Sequence, residues 1–315
     1  MPIITKEQIQ NGADKQAVVG EILVRTYTTA LTKKGDEYIT GTLLSGIEVP
    51  FKVWNNSSAF NSLKREDYSN VIVQIMGSFN EYNNQKSIIV DSIQAIEGYT
   101  IDQFLPVKYD ANAYWNALMQ VMKQKVGEYA YSLADRILFS NEEVSNAFKI
   151  EFAAQSHHDN CKSGLLAHTF KVLSNVNYLI TTYPKIAYGE NRQNTLDMLF
   201  LGTLFHDLGK IREMNLGIYQ PVSKVTHRYL GAEYIAEYKK EIIEHYDEDW
   251  YYNLISIILQ HHGEYAEPCK TIYAYIVHKA DALDAEFTTL VEGIENPIIN
   301  SVGESIKIDG SYLSL

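Results

Sequence analysis

The hydrophobic periodicity of this chain changes character once, near residue 105, and that change limits the folds open to it. Before it, apolar residues alternate or fall in short β-branched runs: AVVGEILVRTYTTA, EYITGTLLSG, VPFKVW, NVIVQIMGSF and KSIIVDSIQAI. Turn formers punctuate them in KKGDE, at Gly46, at Asn55-Asn56 and in YNNQK. About five strands at this spacing predict a small β-barrel or sandwich over residues 1–105. After Pro106 a helical period takes over. ANAYWNALMQVMKQKVGEYAYSLADRILF carries apolar residues at i, i+3, i+4 and i+7, the stripe of an amphipathic helix. Asn141 is placed to cap the next helix, with Glu142 and Glu143 favourable to the dipole in its first turn. Further helices are expected at 163–183, 194–210, 226–246, 250–262 and 270–290. Segments 184–194 and 211–224 read as loops, and the tail IKIDGSYL reads as a strand. The expected class is α+β in two domains, a β-barrel over 1–105 and an all-helical bundle over 106–315.

A chain of 315 residues can bury a core in each domain, and 46% apolar with 21% charged residues is an ordinary globular balance. The start MPIITKEQIQ has no basic segment followed by an apolar one, so no secretory signal is read there. Apolar runs such as LDMLFLGTLF fall short of the roughly 20 residues that span a bilayer. A cytoplasmic protein without a membrane partner is expected. Cys161 and Cys269 sit in no CxxC pair, which fits free thiols in a reducing compartment, and no cysteine motif marks Cys161 as catalytic. The net charge of −12 argues against a broadly basic surface that grips duplex DNA, while bound divalent ions would offset carboxylates where a phosphate approaches.

The chemistry-bearing residues cluster in the second half. His157-His158 precede a Gly-containing bend, His168 lies in GLLAHT, and His206-Asp207 ends LFLGTLFHDLGK. His227 lies in VTHRYLGAEY, His261-His262 end IILQHHGEY, and Asp281 sits in IVHKADALDAEF. Leu199, Phe200, Leu201, Leu204 and Phe205 cover all sides of one helix, so that helix should be buried. An ionisable pair buried at its end costs several kcal/mol unless it is hydrogen-bonded, paired or metal-bound. Asp281 shares a helix face with Ala274, Val277 and Ala285, an equally apolar setting. Imidazoles and carboxylates brought together in this way can share divalent cations.

The order His168, His206-Asp207, His227, His261-His262, Asp281 resembles the HD-domain superfamily of metal-dependent phosphohydrolases, over about residues 155–290. That resemblance implies that His168, His206, Asp207 and Asp281 hold one metal. Asp207 would bridge to a second, completed by His227 and His261, with His262 an alternative to His261. A barrel ahead of an HD domain, together with QSHHDNCKSGLLAHT, is similar to the YhaM family of 3′-5′ exoribonucleases. This implies an OB-like barrel, a single-stranded RNA substrate and Mn²⁺. The donor set of nitrogen and oxygen also suits Fe, Co²⁺ or Zn²⁺.

On this reading Asp207 divides its oxygens between ions, Lys210 reaches a phosphate oxygen or serves as a C-terminal helix cation, and His157 or His158 contacts the phosphate or protonates the leaving oxygen. Among the barrel aromatics, Trp54 and Tyr82 are preferred for stacking unpaired bases. Residues 1–105 hold 9 Lys+Arg against 12 Asp+Glu, which speaks against a polymeric substrate. The alternative is hydrolysis of small nucleotides, with the barrel as a regulatory or oligomerisation module. A homo-oligomer is compatible with either. An adaptor with a structural site and a di-iron oxygenase are the remaining readings.

Overall fold

The structure is a computed structural model that describes residues 2–82, 85–155, 159–187, 191–263, 266–295, 298–300, 303–308 and 311–314. The chain divides into two compact units, 1–107 and 108–315. The first contains α1 (Lys6–Asn11), β1 (Ala17–Leu31), β2 (Glu37–Leu44), β3 (Glu48–Trp54), α2 (Ser58–Arg65), β4 (Val71–Tyr82) and β5 (Gln85–Ala95). The five strands close into a barrel in the order β1-β2-β3-β5-β4, with β3 and β5 parallel and the other neighbours antiparallel. A five-stranded Greek-key barrel with a helix between its third and fourth strands is OB-like.

Alternation explains the closure. Along β3, Val49, Phe51 and Val53 point inward while Pro50, Lys52 and Trp54 point outward. Ile22, Val24, Ile39, Leu43, Val73, Ile75, Ile88 and Val90 complete the interior. Each such fully buried side chain contributes about 1.5–3 kcal/mol. β1 is long enough to pair with both β2 and β4, and a register shift between Val24 and Thr26 bends it from one to the other.

The second unit is helical around one core: α3 (Ala111–Lys125), α4 (Glu128–Ala134), α5 (Glu142–Ile150), α6 (Gly164–Thr182), α7 (Arg192–Phe205), α8 (Lys210–Glu213), α9 (His227–Ala236), α10 (Lys239–His245), α11 (Glu248–Gln260) and α12 (Ile272–Glu295). The Asn141 side chain accepts from the Val144 N–H at the start of α5, as its type and position predict.

Five expectations need correction. The amphipathic stretch after Pro106 is two helices, broken at Val126-Gly127 and followed by a π-helical turn over Asp135–Phe139. The break has a tertiary cause, since the Gly127 N–H donates to the buried Asp197 carboxylate at 2.7 Å. The helix expected to 210 ends at Phe205, and the one expected over 226–246 is interrupted after Ala236. Segment 211–224 is ordered as the end of α8, a two-residue-strand hairpin of β6 (Met214–Asn215) and β7 (Ile218–Tyr219), and a 3₁₀ turn. The buried Glu151 carboxylate accepts the Leu216 and Gly217 N–H groups at the hairpin tip. The tail forms three strands, β8 (Ile298–Asn300), β9 (Gly303–Ile308) and β10 (Ser311–Ser314), rather than one. Among the described residues, no helix is long and apolar enough to cross a membrane.

Asp197 ties several of these elements together. It also accepts from Gln193 Nε2 at 2.8 Å and from the Tyr246 hydroxyl at 2.7 Å. Asp197→Ala would strand the half-buried Gly127 N–H and Tyr246 hydroxyl, and urea unfolding should show a loss of about 2–4 kcal/mol. Asp197→Asn should lose less, because its amide oxygen can still accept from Gly127.

Candidate metal centre

From Asp197 onward α7 is buried all round, as its apolar sequence there requires, and it delivers His206 at its C-terminal cap. The chain then turns sharply, with Leu208 N–H donating to Phe205 O and Lys210 N–H to Asp207 O. That turn aims Asp207 into the bundle. Gly209 allows it to pack directly on α9, since a Cβ there would lie 1.9 Å from His227 O and 2.6 Å from Gly231 N. α6 carries His168, α9 begins at His227, α11 ends against His261, and α12 carries Asp281.

The side chains converge on Asp207. Its Oδ2 lies 3.4 Å from His168 Nε2 and 3.5 Å from His206 Nε2. Its Oδ1 lies 3.4 Å from both His227 Nε2 and His261 Nε2. One carboxylate thus faces two imidazole pairs, one with each oxygen. Asp281 Oδ1 joins the first pair, 3.1 Å from His168 Nε2, and the His168 and His206 Nε2 atoms are 3.3 Å apart. The His262 ring lies beside those of His227 and His261, and one nitrogen of it falls within 4.8 Å of the donors of the second pair and Asp207. Both His261 and His262 are therefore near the second position.

Each imidazole of the two pairs is fixed through its Nδ1. His206 Nδ1 lies 2.7 Å from Thr203 O and His261 Nδ1 lies 2.9 Å from Ile258 O, each three residues back on its own helix. A carbonyl can only accept, so both Nδ1 atoms carry the hydrogen. His227 Nδ1 faces Glu213 Oε2 at 2.9 Å, and His168 Nδ1 faces Asp284 Oδ2 at 2.7 Å. Burial pushes His206 down to about 4 and lowers His227, so neutral rings present lone pairs from Nε2. Burial would raise the Asp207 carboxyl, but Lys210 and the surrounding imidazoles hold it well below the usual carboxylate range. Asp207 Oδ1, His227 Nε2 and His261 Nε2 are buried and have no hydrogen-bond partner among the described residues. Lone pairs that meet in a dry interior call for a cation between them. These donors fit divalent ions. Burial opposes a proton on His168, yet the carboxylates of Asp207, Asp281 and Asp284 raise it well above its ordinary value, which shows the same demand for positive charge.

Lys210 opens the one-turn helix α8. Its Nζ lies 2.6 Å from Asp207 Oδ2, with the side chain only 12% exposed. His157 and His158 lie outside the described residues. Cys161 is fully buried, and burial raises its thiol to about 12, a setting for an inert side chain. Glu213 and Asp284 are absent from the sequence reading. Asp284 could have been found from its place one turn beyond Asp281 on α12; Glu213 lay in a segment read as a loop.

Residues 165–286 match the family model of the HD domain. The second unit carries an HD domain. The chain is also similar to "3′-5′ exoribonuclease YhaM" of Shouchella clausii (strain KSM-K16), at 26% identity over 89% of this chain and 87% of that protein. The Bacillus subtilis (strain 168) protein of the same name is 25% identical over 87% of this chain and 86% of its own length. Solved structures similar to part of the chain include a replication protein A heterotrimer bound to ssDNA. It is 18% identical over 31% of this chain and 81% of that one, with TM-score 0.25. The mitochondrial single-stranded DNA binding protein Rim1 of S. cerevisiae is 12% identical over 28% of this chain and 100% of its own, with TM-score 0.24.

The HD turn makes a specific demand at Gly209. Gly209→Ala should force the turn away from α9, cost about 1–3 kcal/mol of stability and weaken Mn²⁺ uptake measured by calorimetry. Uptake equal to that of the parent would show that the close approach to His227 does not set the site.

Proposed function

We propose that this protein is a metal-dependent 3′-5′ exoribonuclease that hydrolyses the phosphodiester bonds of single-stranded RNA at a two-metal HD site. The observation that carries the proposal is the division of the Asp207 carboxylate between two imidazole pairs. Similarity to the exoribonucleases over nearly the whole chain, barrel included, supports the choice of substrate. The helical domain, 106–315, is the hydrolase and the barrel, 1–105, guides the strand.

His168, His206, Asp207 and Asp281 would hold one ion, and Asp207, His227 and His261 a second, with Mn²⁺ preferred over Fe, Co²⁺ or Zn²⁺. Such ions supply Lewis acidity, acidifying water and offsetting phosphate charge. The chain supplies the rest. Asp207 stays ionised and so keeps both oxygens available. Lys210 Nζ, beside Asp207 Oδ2, is placed to donate to a non-bridging phosphate oxygen. His157 is assigned to protonate the leaving oxygen. The buried walls of α7 and α11 keep bulk water from the carboxylate and raise the strength of each electrostatic contact.

In the barrel Phe51 and Phe79 are core, whereas Trp54 is 40% and Tyr82 71% exposed. These two carry the proposed stacking. The acidic balance of residues 1–105 favours a second reading, hydrolysis of small nucleotides with the barrel as a regulatory or oligomerisation module.

Purified protein with Mn²⁺ should shorten a 5′-labelled single-stranded RNA from its 3′ end, and EDTA should stop it. Turnover of a mononucleotide without RNA degradation would replace the first reading by the second. Asp207→Ala should abolish hydrolysis, and retained turnover would remove the metal site from the mechanism. Trp54→Ala should weaken binding of long single-stranded RNA by about 1–3 kcal/mol in a filter-binding assay, while cleavage of a small diester analogue stays at the parent rate.

A further inference from the structure

The Nδ1 partners of the four imidazoles are not alike. His206 and His261 donate to backbone carbonyls of their own helices, Thr203 O and Ile258 O. No side-chain substitution can remove those partners. His168 and His227 instead face carboxylates, Asp284 at 2.7 Å and Glu213 at 2.9 Å. Each half of the site thus pairs one carbonyl-backed imidazole with one carboxylate-backed imidazole.

Both carboxylates are buried and held from several sides. Asp284 takes Lys171 Nζ at 3.1 Å and the Thr288 hydroxyl at 3.2 Å. Lys171 is itself fixed by Asp159 at 2.8 Å and by Thr288 Oγ1 at 2.7 Å, and Asp159 is met by the Tyr109 hydroxyl. Glu213 uses both oxygens on one residue, accepting the His227 N–H at 3.0 Å with Oε1 and facing His227 Nδ1 with Oε2. It therefore fixes the backbone and the ring of His227 together. A carboxylate behind an imidazole orients the ring and makes the far nitrogen a stronger donor.

We infer that Asp284 and Glu213 are positioning residues, one for each ion position, so that the two positions can be weakened separately. The inference rests on the two-metal reading above and adds to it a division of labour outside the ligand set. Asp284, clamped by Lys171, governs the position of His168 and His206. Glu213 governs the position of His227 and His261.

The test is calorimetric titration of the metal-stripped, full-length protein with Mn²⁺, together with the visible spectrum of the Co²⁺-loaded form. The parent should bind two ions. Asp284→Asn and Glu213→Gln should each lose about ten- to hundred-fold in affinity for one ion, with the other near the parent value and with different changes in the Co²⁺ bands. Combination with ligand variants identifies the position. Glu213→Gln with His227→Ala should bind like His227→Ala alone, whereas Glu213→Gln with His168→Ala should weaken both ions. Metal-free melting temperatures establish that each variant folds. If an amide variant does not fold, Asp284→Glu and Glu213→Asp, which keep the charge and move it by one methylene, carry the same comparison. A parent that takes up fewer than two ions overturns the two-metal reading itself. A parent that binds two ions, with variants that keep both or lose both together, overturns this inference alone.

Discussion

One carboxylate governs the helical unit. Asp207 cannot be buried at the end of an apolar helix by itself, because an isolated buried charge costs far more than a domain of this size can spare. Lys210 meets one face of it, at 2.6 Å from Oδ2. The remaining demand falls on imidazoles from four different helices or their caps, His168 on α6, His206 after α7, His227 on α9 and His261 after α11. The bundle is therefore organised around a polar centre that its apolar core encloses. Packing brings the helices together, but the carboxylate decides which ends must meet.

Orientation follows from hydrogen bonds behind the rings. Two of the imidazoles stand at helix C-terminal caps and turn back to the carbonyl three residues earlier, using an acceptor that a helix end leaves unsatisfied in any case. This arrangement needs no extra residue, only a histidine at the cap of a buried helix. Of the other two imidazoles, His168 lies near the start of α6, where the carbonyls behind it are already committed to the helix, and His227 is the first residue of α9, with no turn of its own helix behind it. They need carboxylates from elsewhere, Asp284 on α12 and Glu213 on α8. The position of a histidine along its helix thus accounts for the kind of partner it has.

The sequence made much of this legible. Strict alternation around Phe51 and Val53, and the apolar run ending in His206-Asp207, identify the barrel strands and the buried HD helix because in both cases burial is written in the local pattern. Other features depend on distant partners. The break at Val126-Gly127 interrupts a good helical stripe, and its cause lies 70 residues away in Asp197. The order in segment 211–224 comes from Glu151 holding the hairpin tip, which turn residues and short apolar stretches do not reveal. Glu213 was hidden for the same reason. An acidic residue in an apparent loop has no local sign that it will be buried against His227.

The barrel's charge, which counts against a nucleic-acid partner, bears on only one component of the proposed RNA binding. Counterion release rewards basic residues and dominates where a protein grips many phosphates along a duplex. A single strand exposes its bases as well, and stacking on an aromatic ring does not depend on the ring's net surroundings being positive. On the outer face of β2 and β3, Tyr38 and Trp54 are directly opposite in register with ring centroids 5.5 Å apart, and Lys52 points outward on the same strand as Trp54. Local cations beside aromatics can satisfy a few phosphates while the acidic remainder repels strands from other surfaces. Such a barrel would bind single strands weakly and with a shallow salt dependence. That suits the proposed exonuclease, which would have to let its substrate advance after every bond is broken.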